Sequence, residues 1–236
     1  MEKELLFYNC EFEDAVRKKL LIKDRPIYVS DALKVFDLDL SEIDFDIKDC
    51  DTLCQFKNLE CLYIDFRFTD ISFISSFEKL RELNMEYCCS VFDFKYLSEL
   101  KCLRELFVSG GCWSNMRLEN FESLSGLDKL EILGLHEFGY VDLRPLRKMQ
   151  QLRSFYCGYA GKVYNYNAIG NLVNLEELTL IDFQMDNIEF LKELPTNMHL
   201  LLCGTEFTKE IDVSIFDRFV EKDVSELIIK NERVFW

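Results

Sequence analysis

The chain has 236 residues, of which 49% are hydrophobic, an ordinary fraction for a globular protein. Its 43 acidic and 28 basic residues give a formal net charge of -15. Such a surface repels nucleic-acid backbones and anionic membranes, so neither is expected as a partner. No apolar run approaches the roughly 20 residues of a membrane span. None of the ten cysteines forms a C-x-x-C pair, which excludes the common zinc and redox motifs.

The first 34 residues come before any repeated pattern. Phe12, Val16 and Leu20 recur at a spacing of four, which predicts a one-faced helix with acidic residues first and basic residues last. The opening residues lack the basic and apolar regions of a secretory signal, so a cytoplasmic location is expected. We interpret residues 1–34 as an N-terminal cap that seals the first repeat.

From residue 35 a phrase of the form apolar-x-x-apolar-x-apolar recurs eight times. Its first positions are Val35, Leu59, Leu80, Leu103, Leu130, Leu152, Leu175 and Met198. The steps between them are 24, 21, 23, 27, 22, 23 and 23 residues. A period in this range with this strand pattern indicates a solenoid of stacked coils, and eight coils exceed the roughly three needed for a continuous core.

A second phrase follows most of the strands. In it, a residue able to cap a helix comes before apolar residues three apart, at Asp70, Asp93, Asp142 and Asn187. This pattern predicts a short helix or 3₁₀ turn on the far side of each coil.

Residues 175–194 read L-E-E-L-T-L-I-D-F-Q-M-D-N-I-E-F-L-K-E-L. This resembles the repeat of about 22 residues in the bacterial internalin-type and protein-phosphatase-regulator-type leucine-rich repeat proteins. The resemblance implies an α/β leucine-rich repeat solenoid. Its parts would be a right-handed coil, a parallel concave β-sheet, short helical or 3₁₀ convex segments, a helical N-terminal cap and a mixed C-terminal cap.

The family's asparagine at position nine of the repeat is absent. The residues in its place are Cys88, Gly111, Phe138, Ala160 and Phe183. We therefore expect a column of phenylalanine and small side chains where the family has an asparagine ladder.

The phrase stops after Thr208. Residues 213–220 read as a helix and residues 227–229 as a strand, which predicts a C-terminal cap. The expected organisation is a cap over residues 1–34, about eight coils over residues 35–208 and a cap over residues 209–236, all in one structural domain.

Alternation along each strand predicts which side chains face the concave side. Six carboxylates lie on this face in the first four coils and only Glu177 in the last four. The candidate residues for binding a partner, on this face and its rim, are Asp37, Asp39, Tyr63, Asp65, Glu82, Asn84, Glu86, Glu105, Phe107, Trp113, His136 and Tyr156. Trp113 belongs to the longest step of the repeat, where it is either an anchor for a partner or folded back over the coil edge.

The sequence predicts no enzyme, no cofactor and no metal site. His136 and His199 are the only histidines, and His136 is not followed by the second histidine of a zinc-protease motif. The leading hypothesis is a non-catalytic protein–protein interaction module, monomeric, and an inhibitor or immunity-type protein if its partner is basic. The alternative is a cytoplasmic scaffold, adaptor or translocated effector that recruits an enzyme. A hydrolase using paired concave carboxylates is the remote third hypothesis.

Overall fold

A computed structural model of the chain describes residues 2–45, 47–65, 70–86, 91–110, 116–225, 227–229 and 232–234. Across these ranges, nine strands join side by side into one parallel sheet. Their bounds are Asp37–Leu40, Cys61–Asp65, Glu82–Glu86, Glu105–Ser109, Ile132–His136, Ser154–Gly158, Glu177–Ile181, His199–Cys203 and Glu221–Ser225. We call this the concave sheet and number the coils 1 to 9 by its strands.

Short helices lie on the opposite, convex side of the coils. The 3₁₀ helices span Ile47–Asp49, Ser72–Ser76, Phe94–Leu97, Phe121–Gly126, Arg144–Lys148, Tyr166–Asn171, Glu189–Lys192 and Val213–Arg218, and one α-helical turn spans Cys50–Leu53. The predicted capping residues are confirmed. Asp70, Asp93 and Asp142 each accept a hydrogen bond, at 2.9–3.0 Å, from the backbone N–H two residues later.

Lateral strands connect the concave sheet to the convex helices. One four-stranded sheet contains Val91–Asp93, Arg117–Glu119, Tyr140–Asp142 and Lys162–Tyr164, and a second contains Gln184–Met185, Glu206–Phe207, Leu227–Ile229 and Glu232–Val234. The lateral strand starts four residues after the concave strand in coils 5 and 6, but three residues after it in coils 7 and 8. Among the described residues no pairing joins Lys162–Tyr164 to Gln184–Met185, so the lateral sheet is split between coils 6 and 7.

The core is a stack of leucine columns. Strand pairing is in register, so that Leu62, Leu83 and Leu106 lie directly above one another, each fully buried. The expected position-nine column is also present: Phe138 and Phe183 are each 1% exposed, with the half-buried Ala160 in the coil between them. Cys88 and Gly111 of this column lie outside the described residues. The α/β solenoid predicted from the sequence is confirmed.

Polar bridges join neighbouring coils on both sides of the solenoid. On the loops that lead into the concave sheet, ion pairs Glu60–Arg81, Arg104–Glu131 and Arg153–Glu176 join coils 2 to 3, 4 to 5 and 6 to 7. On the convex side, Asn120 donates to Asp93 at 2.7 Å and Asn165 donates to Asp142 at 2.9 Å, joining coils 3 to 4 and 5 to 6. Each bridge is exposed and contributes no more than about 1 kcal/mol, so the bridges orient coils that the core stabilises.

The N-terminal cap packs a helix, α1 (Cys10–Leu20), onto coil 1. As predicted, Phe12 and Val16 are buried, and the Phe12 ring lies 5.4 Å from that of Phe45. The side chain of Asn9 caps the helix, while the buried Asp49 accepts the backbone N–H groups of Tyr8 and Asn9 at 2.8 and 2.9 Å. One buried carboxylate therefore holds the chain that precedes the helix.

A second short helix, α2 (Val29–Ala32), carries the buried Asp31, which pairs with two exposed cations outside the helix. This side chain accepts two hydrogen bonds from Arg25, at 2.6 and 2.8 Å, and one from Lys34 at 2.9 Å. The hydrogen bonds from Arg25 are the largest cause that lowers the pKa of Asp31 well below its usual range.

Two expectations about the C-terminal region need correction. The predicted C-terminal helix is present as a 3₁₀ helix over Val213–Arg218, but Glu221–Ser225, inside the expected cap, adds a ninth parallel strand to the concave sheet, where about eight were expected. In coil 8 the phrase begins one residue earlier than expected, so Leu200 and Leu202 are fully buried and do not face the concave side. Asn197 occupies the position of the first leucine of the phrase in this coil. The sequence pattern therefore indicated the apolar Met198 as its first residue.

Truncation of the phenylalanine column should be costly. We expect Phe138→Ala and Phe183→Ala each to lower the free energy of unfolding by about 3–5 kcal/mol, because each leaves a cavity in the core. Urea titration followed by circular dichroism measures the change. Phe36→Ala is the control, since Phe36 is 52% exposed. Equal effects at all three positions would contradict the assignment.

The cluster around Asp31 makes stability depend on pH. A carboxyl whose pKa is lowered on folding contributes stability above its unfolded pKa of about 3.9, and loses it as the pH falls towards the folded pKa. We expect Asp31→Asn to cost about 2 kcal/mol at neutral pH, and the difference from wild type to shrink as the pH falls below about 4. Thermal unfolding over this pH range tests it, with the exposed Asp24→Asn as control.

Candidate interaction surface on the concave sheet

The concave surface consists of the side chains that alternate with the buried leucines of the concave sheet. The alternation is regular: Leu62 and Ile64 are buried, whereas Cys61, Tyr63 and Asp65 are partly exposed. All the candidate residues from Asp37 to Tyr156, except Trp113, lie on this surface and are at least partly exposed. Trp113 lies outside the described residues.

In-register pairing arranges these side chains in columns that run across the coils. The first column contains Asp37, Cys61, Glu82, Glu105, Ile132, Ser154 and Glu177. The second contains Asp39, Tyr63, Asn84, Phe107, Gly134, Tyr156 and Thr179, in the same register. Neighbours within a column are separated by the strand spacing of about 4.8 Å. Carboxylates therefore line one side of a column that carries aromatic rings at its centre.

Phe107, Gly134 and Tyr156 form what we call the aromatic platform. The two rings lie on coils 4 and 6, with centroids 5.9 Å apart and planes inclined by 34°. Gly134 is between them on coil 5, and a Cβ atom there would lie 2.2 Å from Cδ1 of Phe107. The glycine thus allows the Phe107 ring to cover the intervening strand. Gly134 was not among the candidate residues, although a glycine inside a strand indicates close approach of another group.

Tyrosine hydroxyls hold two carboxylates of the first column. The hydroxyl of Tyr63 donates to Glu82, and that of Tyr156 donates to Glu177. Partial burial, followed by the hydrogen bond to Glu177, raises the pKa of Tyr156 to about 12. The Tyr156 hydroxyl therefore keeps its proton at neutral pH and fixes Glu177 beside the aromatic platform.

Glu105 is a carboxylate with unfavourable surroundings. Partial burial raises its pKa, and the charges of Glu82 and Glu131 raise it further. His136 shows the opposite effect, because burial lowers its pKa despite the nearby Glu137 and Glu86. The concave surface thus favours an uncharged imidazole at His136. It also places the like charges of Glu82 and Glu105 side by side.

Cysteine-based chemistry finds no support in this geometry. Burial, together with Glu82, raises the pKa of Cys61 to about 11, so the thiol stays protonated at neutral pH. His136 lies three coils away, a distance of about 14 Å, too far to accept the proton. Within the described ranges, no three His, Cys, Asp or Glu residues are grouped so as to hold a metal ion.

The first coil differs from the centre of the surface. A hollow of about 870 Å³ lies between α1 and the strand Asp37–Leu40. Asp37 pairs there with Lys19, and Asp39 accepts a 2.6 Å hydrogen bond from the hydroxyl of Ser41. These two candidate residues are therefore engaged at the rim, apart from the aromatic platform.

No protein-family model and no curated protein sequence matches the chain. Among solved structures, it is similar to an internalin (inlF) of Listeria monocytogenes, with 18% identity over 97% of this chain and 73% of that one, at a TM-score of 0.68. The chain has the leucine-rich repeat fold of the internalins. Internalin C2 of the same organism matches with 14% identity over 94% of both chains, at a TM-score of 0.56. The resemblance inferred from the repeat is thereby confirmed at the level of fold.

A plant protein shares part of this fold. The peptide hormone receptor RGFR1, solved in complex with RGF2, matches with 18% identity over 75% of this chain and 30% of that one, at a TM-score of 0.57.

Among the residues of our chain that the structure covers, no helix has the length and apolar character needed to cross a membrane.

Replacement of Glu105 should stabilise the fold. Its raised pKa means that the charged form opposes folding at neutral pH, and that this cost disappears as the pH falls through the folded pKa and the group is protonated. We expect Glu105→Gln to raise the free energy of unfolding at neutral pH by less than about 1 kcal/mol, since the group is still solvated. The gain should shrink towards pH of about 4.

Thermal unfolding at several pH values measures this difference, with Glu122→Gln as the control because Glu122 is exposed on the convex side. A destabilised Glu105→Gln protein would show that the carboxylate is needed for folding, contrary to the assignment.

Proposed function

We propose that the chain is a non-catalytic recognition module that binds a protein partner on its concave surface. The observation that carries the proposal is the aromatic platform, with Phe107 and Tyr156 over Gly134 at the centre of a rigid sheet. Clustered aromatic rings at the centre of a patch with charged residues at its edge are typical of protein-binding hot spots. The leucine-rich repeat fold supports the same role, because solenoids usually bind along their concave surface.

The surface is pre-organised for binding. Phe107 and Tyr156 lie on strands, and Tyr156 is further held by its hydrogen bond to Glu177. Side chains already fixed before association lose less conformational entropy when a partner docks. A partner that contacts this platform would therefore retain most of the energy of burying the two rings.

The charge of the surface favours a basic partner. Glu82 and Glu105 are adjacent in their column, and the raised pKa of Glu105 reflects partial burial and like charge nearby. A cation from the partner would relieve the repulsion, and long-range attraction would increase the association rate. This supports the inhibitor or immunity-type hypothesis, in which the chain masks a basic protein surface.

The adaptor hypothesis relies on the rings more than on the charges. Tyr63, Phe107, Trp113 and Tyr156 would then anchor a recruited enzyme, and binding would depend little on salt. The carboxylate-based hydrolase has less support, since the Glu82 and Glu105 carboxylates lie on an open sheet and not in a cleft that would tune their pKa values apart.

A cytoplasmic location and a monomeric state are part of the proposal, and the free cysteines of the described chain suit a reducing compartment.

Two matched sets of substitutions test the proposal. Each variant is immobilised and used to capture partners from the native lysate at low and at moderate salt, and mass spectrometry identifies the proteins that are retained. One variant carries Glu82→Lys, Glu86→Lys and Glu105→Lys. Its control carries Glu78→Lys, Glu99→Lys and Glu122→Lys, which change the charge equally in or beside convex 3₁₀ helices. Tyr156→Ala is compared with Tyr8→Ala, since Tyr8 is exposed at the N terminus.

We expect a basic partner to be retained by the control and lost by the concave triple variant and at the higher salt. Retention that resists salt but is lost in Tyr156→Ala would favour the adaptor. A partner held equally by all four variants would contradict binding on the concave surface.

A further inference from the structure

One carboxylate at the edge of the aromatic platform is not engaged by any described side chain. Glu105 lies two residues before Phe107 on the same strand and the same face, about 6.6 Å along the strand. Among the residues that the structure describes, its side chain accepts no hydrogen bond and forms no ion pair. Its charge also contributes to the raised pKa of the Tyr156 hydroxyl. Glu105 is therefore close to both rings and open to a cation from a partner.

The other carboxylates of the first column that flank the rings already hold donors. Glu82 accepts a hydrogen bond from a neighbouring tyrosine hydroxyl. Glu177 accepts one from Tyr156, and its Oε1 atom lies 3.8 Å from Nδ1 of His199. Glu105 is thus the carboxylate beside the aromatic platform whose acceptor sites remain open.

The charge around Glu105 is negative once every neighbouring cation is considered. The outward-facing positions of the nine concave strands hold carboxylates in coils 1 to 4, 7 and 9, and no lysine or arginine. Cations at the border of this surface are each paired with a carboxylate, as Lys19–Asp37, Arg81–Glu60, Arg104–Glu131 and Arg153–Glu176. Burial lowers the pKa of His136, which keeps the imidazole uncharged at neutral pH. A cation from outside therefore meets no competitor on this face.

The occupant has to suit the rings and the carboxylate together. An apolar side chain laid on Phe107 and Tyr156 would also remove water from Glu105, and burying a carboxylate without a partner is costly. A lysine ammonium would neutralise the charge, but it is a compact, strongly hydrated ion without a flat face. An arginine guanidinium is planar, stacks on aromatic rings and donates several hydrogen bonds to a carboxylate at the same time. The arrangement therefore selects arginine.

Resting on the function proposed above, we propose that the group recognised by the concave surface is an arginine side chain presented by the partner. Its guanidinium stacks on the rings of Phe107 and Tyr156 and donates to the carboxylate of Glu105. Gly134 is part of the site, because a side chain there would displace the Phe107 ring. The partner thus places an arginine at the centre of its interface with this chain.

The probe is a fluorescein-labelled peptide of glycine and serine with two outer lysines and one central arginine, titrated with the full chain and followed by fluorescence anisotropy. Two comparison peptides replace the arginine with lysine, which keeps the charge, or with citrulline, which keeps the planar shape without the charge. We expect the arginine peptide to bind about threefold or more tighter than the lysine peptide, and the citrulline peptide to bind most weakly.

Two variants test the residues of the site. Glu105→Gln should weaken binding of the arginine peptide about tenfold, although its fold is expected to be at least as stable as that of wild type. Phe107→Leu keeps an apolar side chain but removes the ring, and should reduce the preference for arginine over lysine to less than about twofold. The controls Glu122→Gln and Phe36→Leu make the same changes at exposed positions away from the aromatic platform and should bind as wild type.

Equal binding of the arginine and lysine peptides, or an unchanged preference in Phe107→Leu, overturns the assignment to arginine. Absence of binding by the arginine peptide overturns it as well, and so does equal loss in Glu105→Gln and Glu122→Gln, which would show that the peptide follows net charge alone. The function proposed above is judged separately, because capture of a basic protein that depends on Glu82, Glu86 and Glu105 would still support recognition on the concave surface.

Discussion

The in-register stacking of parallel strands is the constraint on which the rest of this molecule depends. A single coil cannot bury its own apolar edge, so Leu62 is buried only because Leu83 and its successors lie above it in the same column. The same register that aligns the leucines inside aligns the polar side chains outside. The acidic column and the aromatic platform are therefore consequences of how the core is built.

The coils are also held together at their surface by polar bridges on both sides of the solenoid. Ion pairs on the concave-side loops join coils 2 to 3, 4 to 5 and 6 to 7, and Asp–Asn hydrogen bonds on the convex side join coils 3 to 4 and 5 to 6. Between coils 2 and 7, each neighbouring pair thus has at least one polar bridge. Phenylalanine occupies the interior at Phe138 and Phe183, where related repeats have asparagine, and polar contacts between coils are found instead on the outside.

The concave and lateral sides of the solenoid differ in the physical origin of their shape. On the concave side, a missing side chain at Gly134 lets one ring lie beside another, and tyrosine hydroxyls position carboxylates next to them. On the lateral side, the sheet is interrupted between Lys162–Tyr164 and Gln184–Met185. A regular solenoid acquires local features of this kind wherever a repeat departs from its neighbours.

Much of the architecture could be inferred from the sequence, because a repeat of fixed period and the alternation of strands are local patterns. They determined the solenoid, the candidate residues of the concave face and the buried positions of Phe138 and Phe183. The ninth coil was missed because its strand, Glu221–Ser225, borders the core on one side only and so lacks the leucine pattern. The role of Gly134, the polar bridges between coils and the contact between the Tyr140 and Tyr164 rings depend on which residues of different coils lie side by side. Only the register between strands decides that, and register is a property of the folded stack.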